Sequence, residues 1–376
     1  MMGARFKRMD DVASDSRSAS RLNVRRLSPP HDDLAGVDAY VRQHPGATPY
    51  HRSAWLKAVN EGYKHSGTIL AAFDDTDDIV GVLPLCHLAL PLGRPALISQ
   101  PYCDLGGPLA NNASVAQALI EEAKRLASDV KASSLSLRLA GPALDIELKH
   151  VDAGMQKVSM LCELPHCSET LFKSYKPKLR SQIRKAEKNG LSGEVRQDPE
   201  AVEAFYHVFA ANMRRLGSPV HALRWFSALH SHYGADMVVG LVYCDGVVVG
   251  AGVVLLNGKR ASIPWASTLA EYNHLAPNML LYWTLLSYVC DRGITLFDFG
   301  RSTPGEGTYR FKKQWGAVPH ELNWLDILNE GTKTSAKSRY SVAAQKLRAL
   351  VEVIWRRLPL PVANRFGPLI RKYISL

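Results

Sequence analysis

The chain has 376 residues, a length typical of about two folded domains. Hydrophobic residues make up 46% of it and charged residues 22%, so the composition excludes disordered, collagen-like and coiled-coil proteins. The formal net charge is +11, but residues 331–376 hold ten Lys or Arg and one Glu, a net charge of +9, and residues 1–330 carry only +2. A nearly neutral body with a cationic tail disfavours a general nucleic-acid-binding protein.

Three features of the sequence bear on the compartment. The first eleven residues mix basic and acidic side chains without an apolar segment, so we expect no secretory signal. The longest apolar run, at 247–256, is much shorter than the roughly 20 residues that span a bilayer. The six cysteines form no Cys-x-x-Cys pair, and in a chain of this size without a signal we expect them to stay reduced. No second ligand pair follows Cys162, His166 and Cys167, so we expect no metal site. The sequence favours a cytoplasmic protein.

The same order of predicted elements occurs twice. The first half predicts a helix at 51–61, strands at 68–73 and 79–85, a helix at 114–128 and a strand at 135–139. The second half predicts helices at 200–215 and 223–233, strands at 237–243, 247–256 and 261–265, a helix at 278–291 and a strand at 294–299. Gly81 and Gly250 lie at matching points of the two strand pairs. We therefore interpret the chain as a duplicated α/β unit.

Two basic segments lie outside the repeated elements. Between the two units, Pro177 and Gly190 predict a helix at about 178–189 in a stretch rich in Lys and Arg. Its basic face is either a solvated surface or a docking face for a phosphate-bearing or acidic partner, with Lys178, Arg180, Arg184 and Lys185 as the candidates. After residue 330, basic residues alternate with an apolar stripe at helical spacing, which predicts a basic amphipathic helix in the tail. The stripe consists of Leu347, Leu350, Val351, Ile354 and Leu358.

Polar and aromatic residues are concentrated at 262–315, whereas the signatures of serine hydrolases, P-loop enzymes, zinc proteases and dinucleotide-binding proteins are absent. Asn278 follows a proline at the start of a predicted helix, whose free N–H groups favour an anion. A strand ending Asp298-Phe299-Gly300-Arg301 leads through a glycine-bearing loop into the segment 307–316. These residues are the candidates for a functional site.

The candidate site resembles that of the FemAB-type aminoacyl and acyl transferases. The strand end at 298–301 and the Gly-x-x-x-Phe-Lys-x-x-aromatic-Gly segment at 307–316 are similar to that family's signature, and so is the basic linker at 178–190. Further segments resemble the FemAB-related proteins found with PEP-CTERM/exosortase exopolysaccharide systems. These segments are His51, 81–85, Gly106-Gly107, 277–283 and 299–303. The resemblance covers about residues 35–328.

The resemblance implies an α/β (α+β) chain of two tandem GNAT, or acyl-CoA N-acyltransferase-like, domains. We place the first at 35–165 and the second at 166–330, between a flexible N-terminus at 1–34 and the basic amphipathic helical tail at 331–376. The implied activity is transfer of an acyl or aminoacyl group to an amine of a cell-envelope precursor, of the peptidoglycan or exopolysaccharide kind, at the cytoplasmic face. The alternatives are an acetyl-CoA-dependent N-acetyltransferase and a non-catalytic docking protein for a lipid-linked glycan precursor.

Roles for individual residues follow from the resemblance. Lys312 matches the family's Phe-Lys position and is the candidate for stabilising charge on the carbonyl oxygen, the alternative being a packing lysine beside Trp315. Asp298 is the candidate for accepting a proton or for holding Arg301. The candidates for binding the acceptor or its phosphates are Arg301, Tyr309, Asn278, Lys313 and Ser267.

No tightly bound cofactor is implied, and the acyl donor is either aminoacyl-tRNA or acyl-CoA. The segment 271–276 lacks the glycines that cradle the coenzyme A pyrophosphate in GNAT enzymes, and the segment 220–235 lacks the helical arm common in tRNA-dependent FemAB proteins. The expected partners are the envelope or polysaccharide precursor, the donor and an anionic membrane surface that binds the tail. No sequence-specific nucleic acid is expected.

Overall fold

A computed structural model describes residues 22–29, 31–89, 94–140, 157–328 and 351–375. The first part of the chain contains β1 (Asn23–Leu27), α1 (Ala35–Gln43), α2 (Ser53–Tyr63), β2 (Ser66–Phe73), β3 (Ile79–Leu88), β4 (Ala96–Ile98), β5 (Leu109–Ala110), α3 (Ala113–Asp129) and β6 (Ser134–Ala140). A connecting part follows, with β7 (Val158–Glu163), α4 (Ser168–Ser174) and α5 (Pro177–Lys188).

The second part contains β8 (Leu191–Arg196), α6 (Pro199–Leu216), α7 (Leu223–Tyr233), β9 (Met237–Cys244), β10 (Val247–Asn257), β11 (Arg260–Thr268), α8 (Pro277–Asp291), β12 (Leu296–Ser302), α9 (Gly307–Gln314) and β13 (Val318–Leu328). The tail contributes α10 (351–357) and α11 (Leu360–Arg371).

The two parts repeat one topology, as the duplicated pattern predicts. Each has a first strand, two helices, an antiparallel strand pair, a further strand, a helix and a closing strand. In each, the strand that follows the antiparallel pair runs parallel to the closing strand: β4 pairs with β6, and β11 pairs with β12. Both parallel pairs extend over only three residues before the strands separate. The chain is a tandem α/β repeat.

The two copies share one continuous sheet in the described residues, in the order β1-β2-β3-β4-β6-β13-β7-β12-β11-β10-β9-β8. Strand β13 joins the halves, because Leu322–Leu328 pairs with β6 whereas Val318–Glu321 pairs with β7. Strand β7 also pairs with β12 of the second copy. The strand pairing therefore departs from the predicted division at 165/166. Strand β7 falls within the predicted first domain but pairs in the second copy's half of the sheet, and β13 falls within the predicted second domain but pairs with β6 of the first copy.

The N-terminal segment is also more ordered than the sequence indicates. Residues Asn23–Leu27, assigned to a flexible N-terminus, form strand β1 and pair antiparallel with β2. Arg26 forms ion pairs with Glu122 and Asp129 of α3, and Val24 packs on the first copy's core. These contacts hold the segment in place despite its polar composition, so the predicted flexibility of the N-terminus does not apply to residues 23–27.

An aromatic cluster joins the helices of the two copies. The ring centroids of Trp55 on α2 and Trp225 on α7 lie 5.2 Å apart in an edge-to-face arrangement. Trp55 also stacks on Trp265 of β11, with centroids 6.1 Å apart. Such ring pairs add stability beyond their burial and fix relative orientation. The large apolar core that contains these side chains spans α2, α6 and α7, so the copies pack as one body.

The described part of the tail is docked on this body. Trp355, Ala363 and Gly367 are buried, and the backbone carbonyl of Lys372 accepts hydrogen bonds from Tyr102 Oη at 2.6 Å and His65 Nε2 at 3.0 Å. The described part of the tail contains two helices, because Pro359 between them cannot continue α10. Of the predicted apolar stripe, Leu347 and Leu350 lie outside the described residues. Within the described ranges, no helix is both long and apolar enough to cross a bilayer.

Candidate functional site

The site lies where the second copy's parallel strands separate. Strand β11 pairs with β12 through Arg260, Ala261 and Ser262, the last of them opposite Asp298. Beyond that point β11 continues beside β10, while β12 continues beside β7 with an irregular register between Asp298 and Arg301. Gly300 lies within the irregularity at φ 72°, a conformation that glycine adopts without strain. The sequence Asp-Phe-Gly-Arg thus forms a bulge at the edge of an opening in the sheet.

Asp298 is buried at this opening and fully occupied by hydrogen bonds. Its carboxylate accepts from Ser159 Oγ at 2.8 Å, from the backbone N–H of Gly300 at 2.8 Å and from Arg260 Nη2 at 2.7 Å. The side chains of Asp298 and Arg260 are 3% and 12% exposed, so the pair is desolvated. The carboxylate therefore holds Arg260 and the bulge. The predicted pairing with Arg301 is wrong, because Arg260 on the adjacent strand reaches the carboxylate.

Lys312 projects from α9 into the same opening. Its residue is only 9% exposed, and Nζ donates to the backbone carbonyls of Gly300 at 3.1 Å and Arg301 at 2.9 Å. Burial lowers the pKa of Lys312 to about 8, against the opposing effect of the carboxylates of Asp104 and Asp298. The ammonium group is thus directed to the bulge and not into water beside Trp315, as a snorkelling lysine would be.

Arg301 is held by a residue of the first copy. Asp104 lies in the loop between β4 and β5, and its Oδ2 accepts from the backbone N–H of Arg301 at 3.1 Å. Its Oδ1 lies 3.4 Å from Arg301 Nε, and its backbone carbonyl accepts from Trp324 Nε1 at 3.1 Å. The Arg301 guanidinium lies over the ring of Trp324, 5.0 Å from its centroid. The first copy thus brings a second carboxylate to the opening.

Asp104 is the functional candidate that sequence reasoning missed. Its side chain is 21% exposed, and the carboxylate is less enclosed than that of Asp298. The available signal was its position, because it directly precedes Leu105 and the Gly106-Gly107 pair that carries part of the family resemblance. A carboxylate that is paired yet partly open to solvent is better placed to take a proton than one with three buried donors.

The start of α8 and helix α9 form the opposite wall. Gln314 Nε2 lies 3.9 Å from Met279 Sδ, and the rings of Tyr282 and Phe311 are 5.0 Å apart, so the two helices are in contact. Of the predicted binding residues, Asn278 is half-buried at the first turn of α8, Tyr309 is half-buried on α9 and Lys313 is exposed. The two contacting helices therefore carry all three residues, and their roles in binding substrate stay predictions.

Ser267 lies elsewhere. It is buried on β11, where its hydroxyl accepts a hydrogen bond from Asn212 Nδ2 of α6 at 3.1 Å. In the described residues its side chain makes no hydrogen bond with Lys312, Asp298 or Arg301. Its position supports a structural contact between α6 and the sheet, and its role in binding substrate stays a prediction.

The predicted basic face is formed by α5. This helix buries Leu179, Ile183 and Ala186 and presents Lys178, Arg184 and Lys185 to solvent, while Arg180 is half-buried with an unpartnered, buried Nε. An open groove of about 490 Å³ runs along it, lined by Pro177, Arg180, Ser181, Arg184, Lys185 and Lys188.

The C-terminal end of the helix that carries the basic groove is hydrogen-bonded to the loop before α8. Asn189, directly after α5, donates from Nδ2 to the carbonyl of Leu275 at 3.2 Å, in the loop that precedes α8. The Arg184 guanidinium stacks over Phe172, 5.3 Å from the ring centroid, which restrains one of the four predicted cations. The cationic face therefore begins beside the first turn of α8, where Asn278 lies.

A second cavity, of about 410 Å³, is lined by residues of the first copy and by Arg260 of the second. His51, Gly106 and Gly107 of the first copy line it together with Arg260 of the second. His51 Nδ1 accepts from the backbone N–H of Thr48 at 3.0 Å, so Nε2 donates to the carbonyl of Gly107 at 3.1 Å. Burial lowers the pKa of His51 to about 3, so it is a neutral wall residue. Within the described ranges, no group of three His, Cys, Asp or Glu side chains could hold a metal ion.

Comparisons with known proteins agree with this geometry. Residues 173–313 match the family model of the acetyltransferase (GNAT) domain. Lipid II:glycine glycyltransferase of Staphylococcus saprophyticus is 20% identical, over 76% of this chain and 88% of the relative. A crystal structure of FemX superposes with a TM-score of 0.66 at 16% identity, covering 87% of this chain and all of FemX. The C-terminal domain of a putative lysylphosphatidylglycerol synthetase from Agrobacterium fabrum gives 0.52 at 13% identity, covering 82% and 97% of the two chains.

The family match places the second copy in the GNAT fold, and the first copy repeats its topology, with an opening between parallel strands in each. The chain is similar in sequence to a lipid II:glycine glycyltransferase and in fold to FemX. Both similarities agree with the FemAB-type resemblance of its motifs.

Proposed function

We propose that this protein is an aminoacyltransferase that acylates an amine of a cell-envelope precursor. The observation that carries the proposal is Lys312, a buried ammonium group directed at the opening of a GNAT sheet and flanked by two carboxylates. The similarity to a lipid II:glycine glycyltransferase supports the class of acceptor. An acceptor of the peptidoglycan kind and one from an exopolysaccharide system stay open within this proposal.

The proposed chemistry needs three roles. A neutral acceptor amine attacks the donor carbonyl, a C–N bond forms, and the carbonyl oxygen becomes negative. Lys312 stabilises that oxygen, because a fixed cation in a water-poor site interacts with it strongly. Asp104 takes the proton that the nitrogen loses and passes it to the leaving oxygen or sulfur as the carbonyl re-forms and the C–O or C–S bond to the donor breaks. Asp298 fixes Arg260 and the bulge that carries the two carbonyls on which Lys312 rests.

The surroundings support separate approaches for the two substrates. The cavity lined by Gly106, Gly107 and Arg260 is also lined by Leu105, the residue that follows Asp104. We assign this cavity to the acceptor. The groove on α5 leads to the first turn of α8, and we assign it to the donor, whose phosphates would meet Arg180 and Lys185. The acceptor then approaches through the first copy, and the donor approaches along the connecting helix α5.

For the donor we propose an aminoacyl-tRNA in preference to acetyl-CoA. The loop before α8 holds Glu271 and no glycine, so it offers no close backbone cradle for a pyrophosphate. A nucleic-acid donor instead needs cations along several phosphates, which α5 provides. Such contacts read no base sequence, in agreement with the absence of a recognised base-reading motif.

Ribonuclease treatment tests the donor. Purified protein is incubated with cell extract and a labelled amino acid, and in parallel with labelled acetyl-CoA, each with and without ribonuclease. We expect aminoacyl transfer that ribonuclease abolishes, and a decrease of about tenfold or more in kcat/KM for the Arg180→Gln/Lys185→Gln variant at low salt. Arg224→Gln/Arg292→Gln, which removes exposed charges from other helix surfaces, is the matched control. Ribonuclease-resistant transfer from acetyl-CoA would contradict the assignment and leave an N-acetyltransferase.

Asp104→Asn tests the proton acceptor. The amide keeps the shape and can still contact Arg301, so the free energy of unfolding should change by less than about 1 kcal/mol. Loss of general-base catalysis should lower kcat by roughly a hundredfold. Rates are measured with a series of acceptor amines, because an acceptor of lower amine pKa should lose less activity. A variant with normal kcat and raised KM would show that Asp104 only orients Arg301.

The cellular site follows from the proposed acceptor. Envelope precursors built on lipid carriers present their reactive end close to the bilayer, so we place the protein at the cytoplasmic face of the membrane. The anionic surface predicted as a partner of the tail belongs to the same proposal.

A further inference from the structure

The docked tail has an unusual outer face. Of the ten large apolar side chains that are exposed in the described residues, seven lie in the 25 residues 351–375. They are Val351, Val353, Ile354, Phe366, Leu369, Ile370 and Ile374. Leu369 is 56% exposed and Phe366 49%. An eighth, Leu216, lies beside them, since its carbonyl accepts from Arg356 of α10 at 3.4 Å. Clustered exposed apolar side chains are typical of an interaction surface.

The inner face of the tail packs on the body of the protein. On α11, Ala363 and Gly367 are buried one turn apart, and a Cβ added at Gly367 would lie 2.9 Å from the backbone nitrogen of Val220. Arg214 Nε donates to the carbonyl of Leu358 at 2.6 Å, and Arg138 Nη2 donates to the carbonyl of Ser375 at 3.1 Å. The outer apolar face is therefore presented while the tail stays docked, and it requires no release of the helices.

Charge on the outer face narrows the choice of partner. Arg356, Arg357 and Arg365 are exposed among the apolar side chains, and the only acidic residue of the described tail is the half-buried Glu352. On α11, Arg365 and Leu369 occupy one row of the helix surface, with Phe366 and Ile370 in the next. Apolar side chains ringed by arginines match the interface of an anionic bilayer, where the former enter the acyl boundary and the latter meet the headgroups.

We propose that α10 and α11 form a fixed membrane-docking surface for anionic lipid bilayers. This inference rests on the proposed function and deepens it, because such a surface would hold the opening in the second copy's sheet at a constant position near a lipid-linked acceptor. The surface differs from a free amphipathic helix in one respect: the tail binds the body and the bilayer at the same time, with opposite faces.

Vesicle flotation tests the surface without any measurement of transfer. The full chain is mixed with vesicles of phosphatidylglycerol and phosphatidylcholine, or of phosphatidylcholine alone, at low and high salt. We expect flotation with the anionic vesicles that falls at least tenfold at high salt. Phe366→Ser/Leu369→Ser/Ile370→Ser should lose at least tenfold in vesicle affinity, and Arg357→Gln/Arg365→Gln should lose binding to anionic vesicles selectively.

The chain offers a matched control for each variant. Val247 and Val318 are 49% and 54% exposed on other surfaces, and Val247→Ser/Val318→Ser should bind vesicles as the wild type does. Arg224→Gln/Arg292→Gln is the control for charge. Deleting the tail is a poorer test, because it would expose the surfaces of Tyr102 and Val220 that the tail now covers.

Three results would overturn the proposal. The proposed lipid-binding surface is wrong if the wild-type protein stays in the unbound fraction. It is also wrong if the triple-serine variant floats as the wild type does. A wild-type dimer that the triple-serine substitution converts to a monomer, without vesicle binding, would assign the same face to a second copy of the chain. Each readout is independent of catalysis, so failure of this proposal is distinguishable from failure of the proposed activity.

Discussion

Lys312→Met should lower kcat by about a hundredfold or more, comparable to the loss of one oxyanion donor in other acyl-transfer sites. Methionine keeps the length and the apolar stem of the side chain but removes the charge that Gly300 and Arg301 carbonyls now solvate. Because a buried charge is costly, the free energy of unfolding should stay the same or rise. Initial rates with both substrates saturating, and thermal unfolding of the same samples, check the two expectations.

Lys259→Met is the control, since Lys259 is exposed in the β10–β11 turn. A Lys312→Met variant that loses stability in step with activity would make Lys312 a packing residue instead.

The pH profile gives an independent test of the same role. Burial lowers the pKa of Lys312 to about 8, below the 10.5 of an ordinary lysine. If the cation stabilises the transition state, activity should fall as pH rises through about 8. Between about pH 8 and 10.5 the unfolded chain binds more protons at this residue than the folded chain. This group therefore raises the free energy of unfolding with pH, by up to about 1.4 kcal/mol per unit. We therefore expect the activity of the wild type to fall above about pH 8 while its free energy of unfolding does not. The Lys312→Met variant should not show this fall in activity.

Asp298→Ala should have the largest effect on stability. It leaves the Arg260 guanidinium buried without its carboxylate, and it also removes the acceptor for Ser159 Oγ and the Gly300 N–H. Removing one partner of a buried ion pair typically costs about 3–5 kcal/mol. Urea unfolding of the variant should show a lower midpoint with an unchanged slope.

The double variant Asp298→Ala/Arg260→Met separates the contribution of the ion pair from that of the other hydrogen bonds that Asp298 accepts. It removes the unpaired charge, so it should regain part of the lost stability, whereas additive losses would show that the two side chains do not act as a pair. Ser159→Ala, which removes only one hydrogen bond, should cost about 1 kcal/mol.

Helices and strands whose residue pattern lies within a single segment can be predicted from the sequence. The helix at 223–233 has the bounds predicted for it, and β9 and β10 differ from prediction by one residue at one end. Apolar periodicity and the two turns after β9 and β10 contain that information. Strands β4, β7 and β13 were missed, since they are short or polar and become strands by pairing with distant segments.

The site shows the same limit. Asp298, Arg301 and Lys312 lie within 15 residues of one another, so a motif could bring them together. Their partners come from elsewhere: Asp104 is 197 residues from Arg301, and Arg260 is 38 from Asp298. No periodicity or spacing marks such partners, which explains both the missed Asp104 and the wrong partner for Asp298. Helical spacing predicts a basic amphipathic helix in the tail, whereas the contacts of its inner face, such as Gly367 on Val220, depend on the tertiary fold.

Strand β13 determines when the protein can fold during synthesis. The first copy's strand β6 obtains its outer neighbour only from Leu322–Leu328, and Ser136 Oγ donates to Asp326, 190 residues later in the chain. At about 5–20 residues per second, a ribosome makes that strand many seconds after β6 has emerged. Until then β6 is an unpaired edge, the kind of surface on which nascent chains aggregate. The two copies are repeats in topology but a single unit in folding, so neither is expected to form a stable fragment when the chain is cut between them.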